Sequence, residues 1–133
     1  MLTGLTHLHH YLPFVFYIVL IIVIVKAFLG KIENPKKNGL LTATLALAHT
    51  QFVLGIVMLI PFLKAGIDMG NPANRFITVE HPITMLIGVI LITVGKVKAK
   101  KIEDVAKANK IIFSYFCVAL VAFVLRTPWD KLF

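Results

Sequence analysis

The chain has 133 residues, of which 59% are hydrophobic and only 15% are charged. A water-soluble domain of this length could not cover so much apolar side chain with polar surface, so the composition indicates an integral membrane protein. The formal net charge of +8 would suggest a nucleic-acid partner in a soluble protein, but here the basic residues mark membrane topology and no nucleic acid is expected as a partner.

Four apolar segments are long enough to cross a bilayer, which needs about 20 mostly apolar residues per helix. In chain order they run from about 8 to 29, 39 to 63, 76 to 97 and 111 to 126. The connections 32–38 and 66–74 have turn composition, whereas 98–110 contains no Gly or Pro and is able to continue as helix. The sequence therefore predicts one all-α domain over 1–133, an integral membrane four-helix bundle with up-down-up-down topology.

Lysine placement predicts how the helices are oriented in the membrane. Most of the basic side chains surround the first and third connections: Lys26, Lys31, Lys36, Lys37, Lys96, Lys98, Lys100, Lys101, Lys107 and Lys110. By the positive-inside rule these connections face the cytoplasm, so the second connection and both termini face outward. The prediction is a protein of the bacterial inner membrane with both termini on the periplasmic side. Membrane lipids are its first expected partners, with anionic head groups near the lysines.

Five histidines occur in this apolar chain, and ionisable side chains at membrane depth are functional candidates by default. His7 and His10 lie at the outer edge, where a histidine costs little. His9 and His81 fall at matching depths, within the first turns of the first and third helices below the outer surface. Two histidines at one level on separate helices meet the requirement of a six-coordinate haem iron.

His49 lies nearer the bilayer centre, and the sequence leaves its role open. It could be the axial partner of His81 if the second helix tilts, the ligand of a second haem, a proton-handling group at a quinone pocket, or a histidine satisfied by a neighbouring hydroxyl. Gln51 and Gly55 fall on the other side of the same helix. The second helix is therefore expected to contact protein on two faces.

The third helix carries a face of small and apolar residues after its histidine: Met85, Gly88, Ile92 and Gly95. At Gly88 and Gly95 the missing side chains permit close approach either of a flat macrocycle or of another helix. We therefore retain Gly88 as a candidate cofactor contact beside the alternative of a helix contact.

Charged residues at the predicted outer side complete the candidate site. Arg75 and Arg126 could bind the two carboxylates of a haem or serve as ordinary helix anchors. Glu80 could orient an imidazole, bind a proton or stabilise a helix N-terminus. Cys117, the single cysteine, is expected to pack in the last helix. Because the sequence has no Cys-x-x-Cys-His motif, any haem would be held non-covalently.

These residues make the chain resemble the small four-helix cytochrome b-like membrane proteins of Bacteroidota. The motifs are Leu8-His9-His10-Tyr11, Ala48-His49-Thr50-Gln51 with Gly55, and Thr78-Val79-Glu80-His81-Pro82 leading to Gly88 and Gly95. A histidine opening the first and third helices is also similar to haem-binding protoporphyrinogen oxidases of the four-helix type. The resemblance implies a b-type haem protein of the membrane.

As a cytochrome, the chain would pass electrons between quinol and a partner protein, because the sequence leaves no extramembrane domain to house another centre. Its small size points to a subunit of a larger membrane complex, with quinone as a second candidate ligand. The alternative is a non-catalytic accessory subunit whose histidines pack or bind lipid.

Overall fold

The computed structural model describes residues 2–127 and 129, so Met1 and Phe133, whose side of the membrane is predicted above, lie outside the described residues. The described part of the chain forms four long helices, each apolar enough to cross a membrane: α1 (Leu2–Phe28), α2 (Gly39–Ala65), α3 (Pro72–Ala99) and α4 (Val105–Arg126). The predicted all-α four-helix membrane bundle is confirmed.

Two helices begin earlier than their apolar segments because polar side chains cap them. The predicted loop 66–74 ends sooner than expected, since α3 starts at Pro72 with Asn71 accepting hydrogen bonds from two backbone N–H groups of the first turn. Proline at the first helical position after an asparagine cap is a favourable start. Likewise α4 starts at Val105, where Asp104 accepts from two backbone N–H groups. Helix α1 extends back to Leu2.

Helix α3 contains one wider turn just before its histidine. Residues Phe76–Glu80 are π-helical, and the backbone N–H of His81 donates to the carbonyl of Phe76. Pro82 follows at once and has no N–H to donate to the preceding turn. The π turn thus lies where the α-helical hydrogen-bond ladder is interrupted in any case, and its extra residue rotates His81 relative to the residues before it.

Each helix packs against the next along the chain, and α4 closes the ring against α1. We call the end of the bundle with the second connection the outer end, and the opposite end the inner end. Helix α2 has no buried residue after Ala48, whereas the buried residues of α4 extend from Ala108 to Phe123 and those of α1 from Phe16 to Ala27. The tightly packed core therefore lies toward the inner end, and the outer half of α2 leaves space between the helices.

One buried amide joins the first connection to α4. Asn109 is only 2% exposed. Its Oδ1 accepts from the backbone N–H of Ile32 at 3.1 Å, and its Nδ2 donates to the Ile32 carbonyl at 2.9 Å and to the Val105 carbonyl at 2.7 Å. Because a buried polar group is stable only when its hydrogen bonds are made, this arrangement fixes the inner connection against the bundle.

Candidate cofactor site

All four helices line a cavity of about 400 Å³ toward the outer end of the bundle, a volume within the usual range for ligand pockets of roughly 300–1,000 Å³. Aliphatic and aromatic side chains make up most of its wall, and the polar lining comes from three histidines, one glutamine, one tyrosine and two threonines. The lining residues are Thr6, His9, His10, Pro13, Phe16, Tyr17, Ala48, Gln51, Phe52, Gly55, Ile56, Met58, Leu59, Phe62, Ile77, His81, Pro82, Met85, Val89, Phe123 and Thr127.

His9 reaches this cavity from α1 and is held in place by α2. Pro13, one turn later, has no N–H, so it cannot supply the helical hydrogen bond that the His9 carbonyl would otherwise accept. Gln51 of α2 supplies it instead, with its Nε2 donating to that carbonyl at 2.8 Å. The imidazole packs on Gly55, where an added Cβ would lie 3.2 Å from the His9 Cε1. Both contacts come from the face of α2 opposite His49.

His81 reaches the cavity from α3, directly after the π turn. Its Nδ1 lies 2.6 Å from the carbonyl oxygen of Arg126. Because a carbonyl oxygen only accepts, Nδ1 carries the proton, and the lone pair of the neutral ring is on Nε2. The ring also stacks on Phe76, with 6.0 Å between centroids. Metal-ligating histidines are typically held in this way, by a carbonyl on the nitrogen away from the metal.

The structure brings His9 and His81 together. Both imidazoles line the one cavity, His9 from α1 and His81 from α3. The matching depths along α1 and α3 therefore correspond to a shared site, while the role of the two rings as iron ligands stays a prediction. His10 lines the same cavity, although the sequence suggested only an interfacial position for it. His7 is exposed and stacks on Tyr11.

His49 lies outside this cavity. It is exposed on α2, with Nδ1 bonded to the Leu45 carbonyl at 2.7 Å and Nε2 at 3.4 Å from the hydroxyl of Thr93. Thr93 lies about 18 Å beyond His81 along α3, at roughly 1.5 Å per residue. Of the roles left open by the sequence, contact with a neighbouring hydroxyl is therefore the one that the structure displays.

The two arginines meet at the outer end, but through Glu80. Arg75 Nε donates to Glu80 Oε2 at 2.8 Å, and Arg126 Nη2 lies 3.9 Å from Glu80 Oε1. All three side chains are partly exposed. Glu80 thus pairs with two guanidinium groups. Since one carboxylate neutralises only one of the two cations, the cluster keeps a net positive charge beside His81.

Gly88 and Gly95 accommodate another helix. A Cβ at Gly88 would lie 2.5 Å from Cζ of Phe123, and a Cβ at Gly95 would lie 2.7 Å from Cβ of Tyr115. Both neighbours belong to α4, and Gly88 is not among the residues that line the cavity. At these positions the close approach is therefore a helix contact, whereas Met85 on the same face does line the cavity.

Comparison with protein-family models, with curated proteins and with solved structures finds no match for this chain. Among the described residues there is no group of three or more His, Cys, Asp and Glu side chains that could hold a metal ion alone. A haem needs fewer protein ligands, because the porphyrin supplies the four equatorial nitrogens and the protein only the axial positions. Two imidazoles in one apolar cavity are suited to that task.

Proposed function

We propose that the chain is a b-type cytochrome of the bacterial inner membrane, with haem b bound non-covalently in the cavity and His9 and His81 as its axial ligands. The observation that carries the proposal is that α1 and α3 each contribute an imidazole to the wall of one apolar cavity. A six-coordinate haem needs two axial side chains from separate parts of a bundle, and the pair meets that need.

The side chains around the cavity suit a porphyrin. The aliphatic and aromatic lining favours an apolar macrocycle over water. His81 already has its proton on Nδ1, toward the Arg126 carbonyl, so its Nε2 has the lone pair that a metal requires. At Gly55 the missing side chain makes room for the ring of His9. Each of these residues would contribute to binding or orientation of the cofactor.

The outer arginines suit the carboxylate end of the cofactor. Arg75 and Arg126 share one carboxylate, that of Glu80, and the remaining positive charge would attract the two propionates. Phe123 already fills the space at Gly88, so Gly88 has a packing role. Met85, which lines the cavity, would contact the cofactor instead.

When bound, haem supplies reversible one-electron chemistry, with a potential tuned by its ligands and surroundings. The chain itself would exclude water, fix the two imidazoles and hold the propionates at the outer edge. We propose that electrons pass between quinol in the bilayer and a partner protein in a larger complex, because the described residues form no extramembrane domain to carry another centre.

The test is a reduced-minus-oxidised spectrum of the full chain, purified in mild detergent from a haem-replete host. The wild type should show the bands of six-coordinate b-type haem, and His9→Ala and His81→Ala should each abolish them or convert them to a five-coordinate form. His49→Ala is the matched control and should keep the spectrum, because His49 lies outside the cavity. A colourless wild type would refute the proposal.

A second candidate function is a non-catalytic accessory subunit, and the position of His49 favours it. Polar side chains at membrane depth rarely face lipid, yet His49 is exposed on α2, so a partner helix would cover it well. In this case the purified chain would be colourless and would carry a stable partner. Replacing His49 by Leu should then release the partner, whereas His9→Ala should retain it.

A further inference from the structure

We infer that Gln51 is a positioning residue for His9: its side-chain oxygen accepts a hydrogen bond from His9 Nδ1 when Nε2 of that imidazole binds the haem iron. The inference rests on the proposed function, because it concerns one of the two proposed axial ligands. It adds a residue that sets the orientation and electron donation of that ligand.

Two buried polar atoms at the contact of α1 with α2, Nδ1 of His9 and Oε1 of Gln51, make no hydrogen bond with any residue that the structure describes. Native structures pair the large majority of such atoms. Turning the Gln51 amide around would not pair these atoms, since its Nε2 is needed at the His9 carbonyl, which Pro13 leaves without a helical donor. The unpaired oxygen therefore stays on the side chain that bonds the His9 backbone.

The two unpaired atoms are complementary once a metal binds. Coordination takes the lone pair of Nε2 and leaves the ring proton on Nδ1, which then is a donor. Gln51 Oε1 is an acceptor on the residue that already bonds the His9 backbone. Rotation of the imidazole would join them, and the ring packs against the bare backbone of Gly55, where no side chain stands in its way.

The same arrangement already exists for the other proposed ligand. His81 donates from Nδ1 to the carbonyl of Arg126, and metal-bound histidines nearly always donate this proton to a carbonyl, carboxylate or water. If Gln51 Oε1 accepts from His9 Nδ1, each imidazole is oriented by a neutral oxygen acceptor on a neighbouring helix. The strength of that hydrogen bond controls how strongly an imidazole donates electrons to iron, and so the reduction potential.

The experiment is a redox titration of the haem-loaded full chain as wild type, Gln51→Glu, Gln51→Leu and Thr50→Val. Gln51→Glu should lower the potential, because a carboxylate accepts the Nδ1 proton more strongly and stabilises ferric iron. Gln51→Leu should raise it and weaken haem binding by about tenfold or more. Thr50→Val is the matched control, since Thr50 is exposed on another face of α2, and it should change neither quantity.

The opposite signs separate positioning from a merely structural role. Both Gln51 variants lose the Nε2 donor to the His9 carbonyl, so loss of that bond alone would move their potentials in the same direction. The carboxylate introduced by Gln51→Glu also lowers the potential through its charge, so the upward shift expected for the uncharged Gln51→Leu carries the distinction. Shifts of equal sign, or no shift, would overturn the inference while the wild-type spectrum still supported the proposed function. If the wild type shows no haem bands, the proposed function fails and this inference fails with it.

A measurement on the wild type keeps the inference testable if a variant does not fold. Proton NMR of the ferric haem protein should show two imidazole Nδ1–H resonances protected from exchange with D₂O, one for each axial ligand. The second would belong to His9 bonded to Gln51. A single protected resonance would contradict the role given to Gln51.

Discussion

Gly88 has no side chain, and this allows α3 and α4 to pack closely at that position. Phe123 of α4 fills the space that a side chain on α3 would need, and it is itself only 5% exposed. Its ring lies edge-on against Phe16 of α1, with 5.1 Å between centroids. A displaced Phe123 would therefore disturb three helices at the inner boundary of the cavity.

We expect Gly88→Ala to destabilise the protein by about 1–3 kcal/mol, the usual cost of overpacking a core, because its Cβ would lie 2.5 Å from the Phe123 ring. Thermal unfolding in detergent measures this as a lowered Tm. Gly4→Ala is the control, since no atom lies within 4 Å of a Cβ there. Adding Phe123→Leu to Gly88→Ala should recover part of the loss; without such recovery, the Phe123 contact is not the cause.

Among the elements, the first connection is tied to α4 through Ile32. Ile32 is buried at 1% exposure, and both its backbone N–H and its carbonyl are bonded to the Asn109 side chain. The connection would otherwise carry two buried backbone groups without partners. The Asn109 side chain thus supplies hydrogen-bond partners to backbone groups of the loop, as a capping residue does at a helix end.

Replacing Asn109 by Leu should cost about 1–3 kcal/mol for each buried group of Ile32 left unpaired. We also expect faster hydrogen exchange at the Ile32 amide, because the first connection would open more often. Asn34→Ala is the control within the same connection, since the Asn34 side chain bonds only an exposed N–H, that of Lys36. Unchanged exchange at Ile32 in the Asn109 variant would count against this role.

The four helices could be predicted from the sequence because apolar length alone defines them. The first residue of each helix is harder to predict. Asn71-Pro72 and Asp104 have the composition of helix caps, but apolar length does not point to them. Depth along a helix also follows from position in the sequence, which is why His9 and His81 could be paired in advance.

Orientation around the helix axes could not be predicted, because it depends on how the helices pack on one another. The π turn rotates His81 relative to the preceding turn, and no spacing pattern indicates it. The contact of Gln51 with His9 left one trace, since Pro13 deprives the His9 carbonyl of a donor. The position of Glu80 between two arginines and the contact of Gly88 with Phe123 required the packed bundle.

The whole molecule is asymmetric along the membrane normal. The buried core and the lysine-rich connections lie at the inner end, and the cavity with Arg75 and Arg126 lies at the outer end. The positive-inside rule predicts that the inner end is cytoplasmic. The proposed haem would then lie near the periplasmic surface, where it could exchange electrons with a partner on that side.

This orientation can be measured with single cysteines in a Cys117→Ala background. Glu33→Cys lies in the first connection and Asp68→Cys in the second, and both positions are exposed. A maleimide that cannot cross the inner membrane should label only Asp68→Cys in cells with a permeabilised outer membrane, and both variants after lysis. The reason is that the lysines of the first and third connections resist transfer across the membrane. Labelling of Glu33→Cys alone before lysis would place the cavity on the cytoplasmic side, and the partner would have to be a cytoplasmic one.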